Sequence, residues 1–443
     1  MRSILILASL CALLAAAQSL LPGGADVYGS AGTALSFGFL LLAAFFGGDL
    51  IAQLGLPRLV GYLLAGLVTG PDVLGLVSQA TTDQLDLVSG VATCLIALTA
   101  GGELNLQRLR PVLRVVLGLS LGSVTVTAVV LAGALFLAAS EIAFLADLRG
   151  WSLAAVCLTL GVVLSAQSPA AVMALIAETR ADGVLSRTIL GTVIIGDLVV
   201  IVLFVSASAV ARTATGGDAD AIETFTAVLW QLFGSMAAGT AIGMILAIYL
   251  RHVRQGVSLF VLVWCIVVAE IGTRTNLDPL ITMLAAGLFI SNFFDTESSP
   301  LIRNLEGASL PVYLVFFAVA GATIRVPLIL QVGAQALALL ALRAASFWLT
   351  SRVVTLGPNV PAPVSRWAWT GLLPQAGLAL ALAVLVHRTL PGIGEGASAL
   401  LLTVVALNEL FMPAVLSRAL IRSGEAGQAD AAERFSYPLE EKI

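Results

Sequence analysis

The segment GTVIIGDLVVIVLF, at residues 191–204, carries one carboxylate, Asp197, among apolar residues and glycines. A charge at membrane depth is costly, and ionisable residues there usually belong to an ion or proton pathway. Burial in a low dielectric disfavours the charged form of a carboxyl group, so such a group can hold a proton or, when deprotonated, a cation. Asp197 is therefore the first candidate for ion-coupled chemistry. The alternative is an acid that hydrogen-bonds neighbouring helices and only fixes their packing.

The stretch before it, LSAQSPAAVMAL at residues 164–175, places polar residues and a proline in an apolar run. Pro169 removes a backbone donor and disfavours helix at Ser168, while Gln167 adds a further polar group. The pattern predicts a helix interrupted at the middle of the membrane. An ordinary proline kink is the alternative from this stretch alone.

A second stretch, LLPQAGLALAL at residues 372–382, repeats the pattern with Pro374, Gln375 and Gly377. Broken helices at matching positions of two halves are typical of inverted-repeat secondary transporters with a midplane site. The ends of the half-helices would offer free carbonyls and amides to an ion. The two stretches together favour interruption over a simple kink.

Three more ionisable residues lie in apolar stretches: Arg343 in LALLALRAASFWL, Glu409 in VVALNELFMPAV, and Glu103. Arginine cannot realistically lose its proton, so Arg343 needs an anionic partner or carbonyls. We expect a structural ion pair, with Glu409 or Glu103 as the acid. The alternative is that Arg343 replaces a bound cation electrostatically and acts on Asp197.

The elements that must position these residues follow from composition. The chain has 443 residues, of which 59% are hydrophobic and 11% charged, whereas a soluble domain carries about a quarter charged residues. Apolar runs of about 20 residues recur throughout, which indicates an all-α polytopic membrane protein. The thirteen apolar segments, numbered in chain order, span residues 32–54, 58–76, 85–106, 112–139, 151–178, 184–211, 223–250, 256–273, 277–293, 307–325, 327–351, 365–387 and 396–420. Segments one to six and eight to thirteen would form two inverted six-helix repeats, linked by segment seven.

The distribution of arginine predicts orientation, because loops rich in positive charge stay in the cytoplasm. Alternate loops hold thirteen arginines against five. The richer set comprises Arg58, Arg108, Arg110, Arg114, Arg180, Arg187, Arg251, Arg254, Arg303, Arg352, Arg366, Arg418 and Arg422. The C-terminus is therefore expected in the cytoplasm. Glu270 and Asp278 flank Arg274 near the predicted outer face and are expected to be solvated.

The two ends of the chain are read separately. Residues 1–31 contain either a cleaved signal peptide, over about residues 1–21, or an additional helix. Residues 421–443 form a short tail, too short to fold alone. The only lysine is Lys442, so no GxxxxGK[ST] nucleotide-binding loop is possible and no cofactor is expected. The net charge of −4 and the lack of basic tracts give no indication of a nucleic-acid partner.

Five blocks, taken in order, resemble the sodium/hydrogen exchanger domain of the cation:proton antiporter superfamily. They are LPRLVGYLLAGLVTGPDVLGL (56–76), IALTAGGELNLQRLR (96–110), LSAQSPAAVMALIAETRADGVLSRTILGTVIIGDLVVIV (164–202), AEIGTRTNLDPLITMLAAGLFISN (269–292) and the interrupted twelfth segment. The resemblance covers about residues 32–420. It implies thirteen helices, with segments five and twelve crossing at their broken centres beside Asp197.

The resemblance also implies that residues 32–420 comprise a scaffold domain, a mobile core domain and a linker helix. Scaffold helices would lie at about 32–106 and 256–325, a mobile core at about 112–211 and 327–420, and a linker helix at about 223–250. The family exchanges protons for sodium or potassium, usually as a homodimer. A bacterial inner membrane is the expected location.

Residue roles are carried over by motif. Asp197 would be the carrier of cation and proton, Ser168 and the carbonyls around Ala166 and Gln167 would be cation ligands, and Arg343 would match the buried arginine of electroneutral members. Pro169, Pro374, Gln375 and Gly377 would mark the breaks.

Two departures from the family pattern affect the predicted chemistry. Gly196 stands where well-known branches have Asn, Gln or Asp, and Ser168 stands where many members have Asp. With one carboxylate and no membrane lysine, we expect electroneutral one-for-one exchange, with sodium, potassium or a broader monovalent specificity left open. The alternatives are a sodium-coupled organic solute carrier of similar fold and a non-transporting membrane sensor. An enzyme is not expected, because no nucleophile, base and orienting group converge.

Overall fold

The computed structural model describes residues 30–103, 107, 110–215, 226, 229–253, 256–275, 277–294, 311–357, 360–390 and 393–428. All regular secondary structure in these ranges is helical. The predicted signal segment at residues 1–21 and tail residues 429–443 lie outside the described residues.

Sixteen α-helices have bounds within the described residues and are numbered here in chain order, leaving aside three single turns of 3-10 or π-helix. The first eight are α1 (Ser30–Gln53), α2 (Arg58–Thr69), α3 (Gln79–Gln84), α4 (Asp86–Glu103), α5 (Leu113–Leu137), α6 (Gly150–Leu164), α7 (Pro169–Thr179) and α8 (Val184–Ala214). The others are α9 (Ser235–His252), α10 (Val257–Thr275), α11 (Pro279–Phe293), α12 (Pro311–Ala322), α13 (Val326–Val354), α14 (Ala362–Gly371), α15 (Gly377–Thr389) and α16 (Gly394–Arg422).

Every predicted apolar segment overlaps one of these helices or, for segments five and twelve, a pair of them. The second segment was predicted to extend to residue 76, but α2 ends at Thr69. Pro71 disfavours helical backbone at the residue before it, Gly70, which is extended here. The short helix α3 was not predicted, since its six residues carry no apolar period.

Hydropathy places this bundle in a membrane. Six stretches of the described chain are long and apolar enough to cross a bilayer: Leu35–Gln53, Arg110–Leu137, Gly150–Thr179, Val184–Ala214, Val326–Val354 and Gly394–Arg422. Shorter apolar helices accompany them. Together with many outward-facing large apolar side chains, this confirms a multi-pass helical membrane protein.

Small residues bring the helices into backbone contact. A Cβ at Gly101 of α4 would lie 2.2 Å from the Leu284 carbonyl oxygen, and one at Gly287 of α11 would lie 2.2 Å from the Leu98 oxygen. Membrane helices associate through such close approach, because lipid tails leave little hydrophobic drive between helices. The α4–α11 crossing is therefore held by backbone proximity.

One cluster of buried apolar side chains comes from α5, α6, α8, α13, α15, α16 and their connections. All of these helices lie within the two ranges expected to form the mobile core. A small separate cluster links α8 to α11 through Ile201, Val205 and Ile281. The buried apolar residues of α7 and α14 belong to another large cluster, which they share with α2, α4, α10 and α11. The site described next has residues in both large clusters.

Candidate ion-binding site at two interrupted helices

The first interruption separates α6 from α7. Helix α6 ends at Leu164, and α7 begins at Pro169 after an extended Ser168, with φ −132° and ψ 104°. The Ser168 hydroxyl oxygen accepts the Ala171 amide at 3.1 Å and caps α7. Pro169 occupies the first helical position, where its missing N–H costs no intrahelical bond.

The second interruption separates α14 from α15. Helix α14 ends at Gly371 and α15 begins at Gly377, so Pro374 and Gln375 lie between them. The Gln375 side chain donates through Nε2 to the Leu164 carbonyl oxygen at 3.1 Å. The second interruption thus contacts the C-terminal end of α6, where the first one begins.

Arg343 joins the two interruptions. It is fully buried on α13, and its guanidinium donates to carbonyl oxygens on both sides. These bonds run from Nε to Leu164 at 2.7 Å, from Nη2 to Ala166 at 2.7 Å and Leu372 at 3.2 Å, and from Nη1 to Leu373 at 2.5 Å. Free carbonyls at helix C-termini carry partial negative charge. Arg343 therefore places a buried positive charge against the carbonyl ends of both interrupted segments.

The acids considered as partners of Arg343 are placed differently. Glu409 is 4% exposed on α16, its Oε1 has no hydrogen-bond partner among the described residues, and it forms no ion pair with Arg343 there. Glu103 ends α4, and its side chain lies outside the described residues. The expected ion pair between Arg343 and Glu409 is therefore not found, and main-chain carbonyl oxygens are the acceptors of the guanidinium among the described residues.

Asp197 lies near the middle of α8 and is 6% exposed. Its Oδ1 has no hydrogen-bond partner among the described residues, while the backbone amide of Gln167 interacts with the carboxyl group. Ser168 is buried in the same interruption. The structure thus brings the α8 acid to the non-helical backbone between α6 and α7.

Asp278 corrects one sequence-based expectation. It was expected to be solvated, but it is only partly exposed and caps α11, accepting the amides of Leu280 at 2.9 Å and Ile281 at 3.1 Å. The sequence held a signal for the cap, since an Asp before a Pro at the start of an apolar run is a helix N-terminus pattern. Helix α11 contacts α8 through Ile281, which packs against Ile201 and Val205. This contact between the two helices depends on the tertiary fold.

A buried acid beside two interrupted helices, in a multi-pass helical membrane protein, can bind and release a small cation or a proton. The class of protein that this fold and site define is an ion-coupled secondary transporter.

The chain belongs to the family described as "Sodium/hydrogen exchanger, transmembrane", whose sequence profile matches residues 39–421. This confirms the resemblance seen in the five sequence blocks, and members of the family are antiporters rather than enzymes. The fold is similar to that of the sodium proton antiporter MjNhaP1 from Methanocaldococcus jannaschii, with a TM-score of 0.64 and 16% sequence identity. The match covers 89% of this chain and 97% of that chain.

Proposed function

We propose that the protein exchanges a monovalent cation, Na⁺ or K⁺, for protons by competition at Asp197. The observation that carries this proposal is the buried Asp197 carboxyl group at the interruption between α6 and α7, one of whose oxygens has no hydrogen-bond partner among the described residues. An unpartnered buried acceptor is costly, and a bound proton or cation removes that cost. Membership of the sodium/hydrogen exchanger family supports the same assignment.

In the proposed cycle, deprotonated Asp197 binds a dehydrated cation, and a proton displaces the cation on the other side of the membrane. The hydroxyl of Ser168 and the carbonyl of Gln167 are the proposed additional ligands. The Ala166 carbonyl already accepts from Arg343, so we assign it to the arginine rather than to the transported ion. A bound cation or a bound proton neutralises the Asp197 carboxylate, so the site can move across the membrane. An uncompensated carboxylate charge would resist that movement.

We infer electroneutral exchange from the charges in the site. Asp197 is the acid at the α6–α7 interruption, and Arg343 stays bound to main-chain carbonyls, so one cation replaces one proton. Arg343 serves in this scheme as a fixed charge at the helix ends. Imposed membrane potential should then leave the exchange rate unchanged.

We further propose that the moving unit comprises α5 to α8 and α13 to α16. Six of these helices, α5, α6, α8, α13, α15 and α16, share a common apolar cluster. The remaining membrane helices would form the scaffold, and two copies would associate into a dimer. The C-terminus is assigned to the cytoplasm of a bacterial inner membrane, on the arginine distribution of the loops.

The test uses reconstituted vesicles with an internal pH dye and an imposed proton gradient. Sodium, potassium, lithium and choline are added in turn to wild type, Asp197→Asn and the exposed-loop control Asp147→Asn. We expect alkali cations to collapse the gradient in wild type and in the control, but not in Asp197→Asn. Competition at one site further requires that the apparent KM for the cation rise in proportion to proton concentration. Exchange in a folded Asp197→Asn protein would rule out this mechanism.

A further inference from the structure

The Gln167 side chain is buried at 1% exposure, but only half of its amide is used. Its Nε2 donates to the Ser123 hydroxyl on α5 at 3.1 Å. Its Oε1 has no hydrogen-bond partner in the described part of the chain. Buried polar atoms are nearly always partnered, so each exception calls for an explanation.

The position of this amide explains the glycine before the essential acid. A Cβ at Gly196 would lie 3.1 Å from Gln167 Oε1 and 3.5 Å from Gln167 Cδ. The amide therefore occupies the space into which a side chain at residue 196 would project. Gly196 replaces a polar residue of the family pattern, but the absence of a side chain there leaves room for the amide of Gln167, from the interruption between α6 and α7.

Gln375 provides an internal comparison, since it is also a buried glutamine in an interrupted segment. Its Nε2 donates to the Leu164 carbonyl at 3.1 Å, and its Oε1 accepts from Asn408 Nδ2 at 3.3 Å. Both ends of that amide are engaged by protein, as expected of a structural glutamine. Gln167 differs because its acceptor is left free beside the residue that precedes Asp197.

We propose that the side-chain oxygen of Gln167 is a cation ligand that completes the Asp197 site and sets its choice among alkali cations. Carboxylate and carbonyl oxygens are the ligands that hard cations prefer. A neutral amide adds a ligand without adding charge, so it leaves the one-for-one stoichiometry unchanged. This inference rests on the proposed function, because it assigns a ligand to that same site.

The experiment compares the kinetics of Gln167→Met with wild type in the vesicle assay, using Na⁺ and K⁺ in separate titrations. Methionine has a similar length and no amide oxygen. We expect the KM for the cations to rise at least about tenfold, equivalent to about 1.4 kcal/mol. The Na⁺/K⁺ preference should change as well, with maximal rate largely retained. An unchanged KM for both ions in a folded, active Gln167→Met protein would overturn the proposal.

Gln375→Met is the matched control, and it should lower the yield of folded protein without changing KM in the remaining active fraction. Gly196→Ala is the second variant, for the case in which Gln167→Met fails to fold. Its methyl group displaces the amide oxygen, so KM should rise, and an unchanged KM would also overturn the proposal. Loss of exchange in Asp197→Asn, combined with unchanged KM in both site variants, would reject the ligand role alone. Exchange retained in Asp197→Asn would reject the proposed function itself.

Discussion

Replacement of Arg343 by methionine should destabilise the protein because it removes the donor that joins the two interrupted segments. Four carbonyl oxygens accept from this guanidinium. The Leu164 oxygen retains a second donor, Gln375 Nε2. The other three carbonyls, those of Ala166, Leu372 and Leu373, receive no other hydrogen bond in the described part of the chain.

The magnitude follows from the number of carbonyls left without a donor. A buried acceptor that loses its partner costs about 1–3 kcal/mol, so three of them cost about 3 kcal/mol or more. Native proteins are stable by only about 5–15 kcal/mol. The substitution also removes the charge, so no unpaired buried charge remains to add to the loss. Arg343→Met should therefore lose a large part of its stability.

The protein carries its own reporters for this measurement. Cys94, Cys157 and Cys265 are free and buried. All variants are made in a Cys11→Ser background, where these three are the only thiols, so the fluorescence of a thiol-reactive dye reports opening of the fold. Thermal unfolding of detergent-solubilised Arg343→Met should begin several degrees below wild type. Arg352→Met is the control, since Arg352 is exposed on the same helix, and it should unfold close to wild type.

Arg343→Lys distinguishes two roles of Arg343. In the first, which we call bridging, the guanidinium stabilises the fold by hydrogen bonds to both interrupted segments; in the second, its charge acts only electrostatically on Asp197. Lysine retains the charge but has three rotatable donors in place of a rigid planar fork, so bridging predicts an intermediate loss of stability. An Arg343→Met protein with wild-type unfolding and an altered pH profile of exchange would refute the bridging argument. That result would favour the electrostatic alternative.

Two further predictions concern helix ends and helix crossings. The Glu425 carboxylate accepts amide hydrogens at the start of α8 at 2.7 and 2.9 Å, so Glu425→Ala should cost about 1–2 kcal/mol as a lost cap and helix-dipole partner. In the same dye assay, the exposed-acid control Glu141→Ala should unfold like wild type, and equal unfolding of the two variants would contradict the capping role. Gly287→Ala should sharply reduce the folded yield on size-exclusion chromatography, because its methyl group would meet the α4 backbone. Gly133→Ala, where no atom lies within 4 Å of the added carbon, should fold normally, and a normal Gly287→Ala yield would show that the α4–α11 crossing can relax.

The helical segments could be predicted from the sequence because hydropathy and proline act locally. Each predicted apolar run overlaps at least one described helix, and Pro169 and Pro374 marked where helices are interrupted. Helix ends were less accurate, as at α2, since they depend on turn geometry over one or two residues. Asp197 was identifiable as a candidate because an isolated acid in a long apolar run is costly and rare.

By itself, then, the sequence determined the membrane class, the helical segments, the family and the candidate acid. Tertiary structure alone decided which groups meet: the Arg343 guanidinium with four carbonyl oxygens, Ile281 of α11 with Ile201 and Val205 of α8, and the Gln167 amide with the space beside Gly196. The physical reason is that membrane insertion depends on the local sum of side-chain transfer energies, which any window of residues reveals. The choice of a hydrogen-bond partner depends on ångström-scale distances between helices that are far apart in the chain.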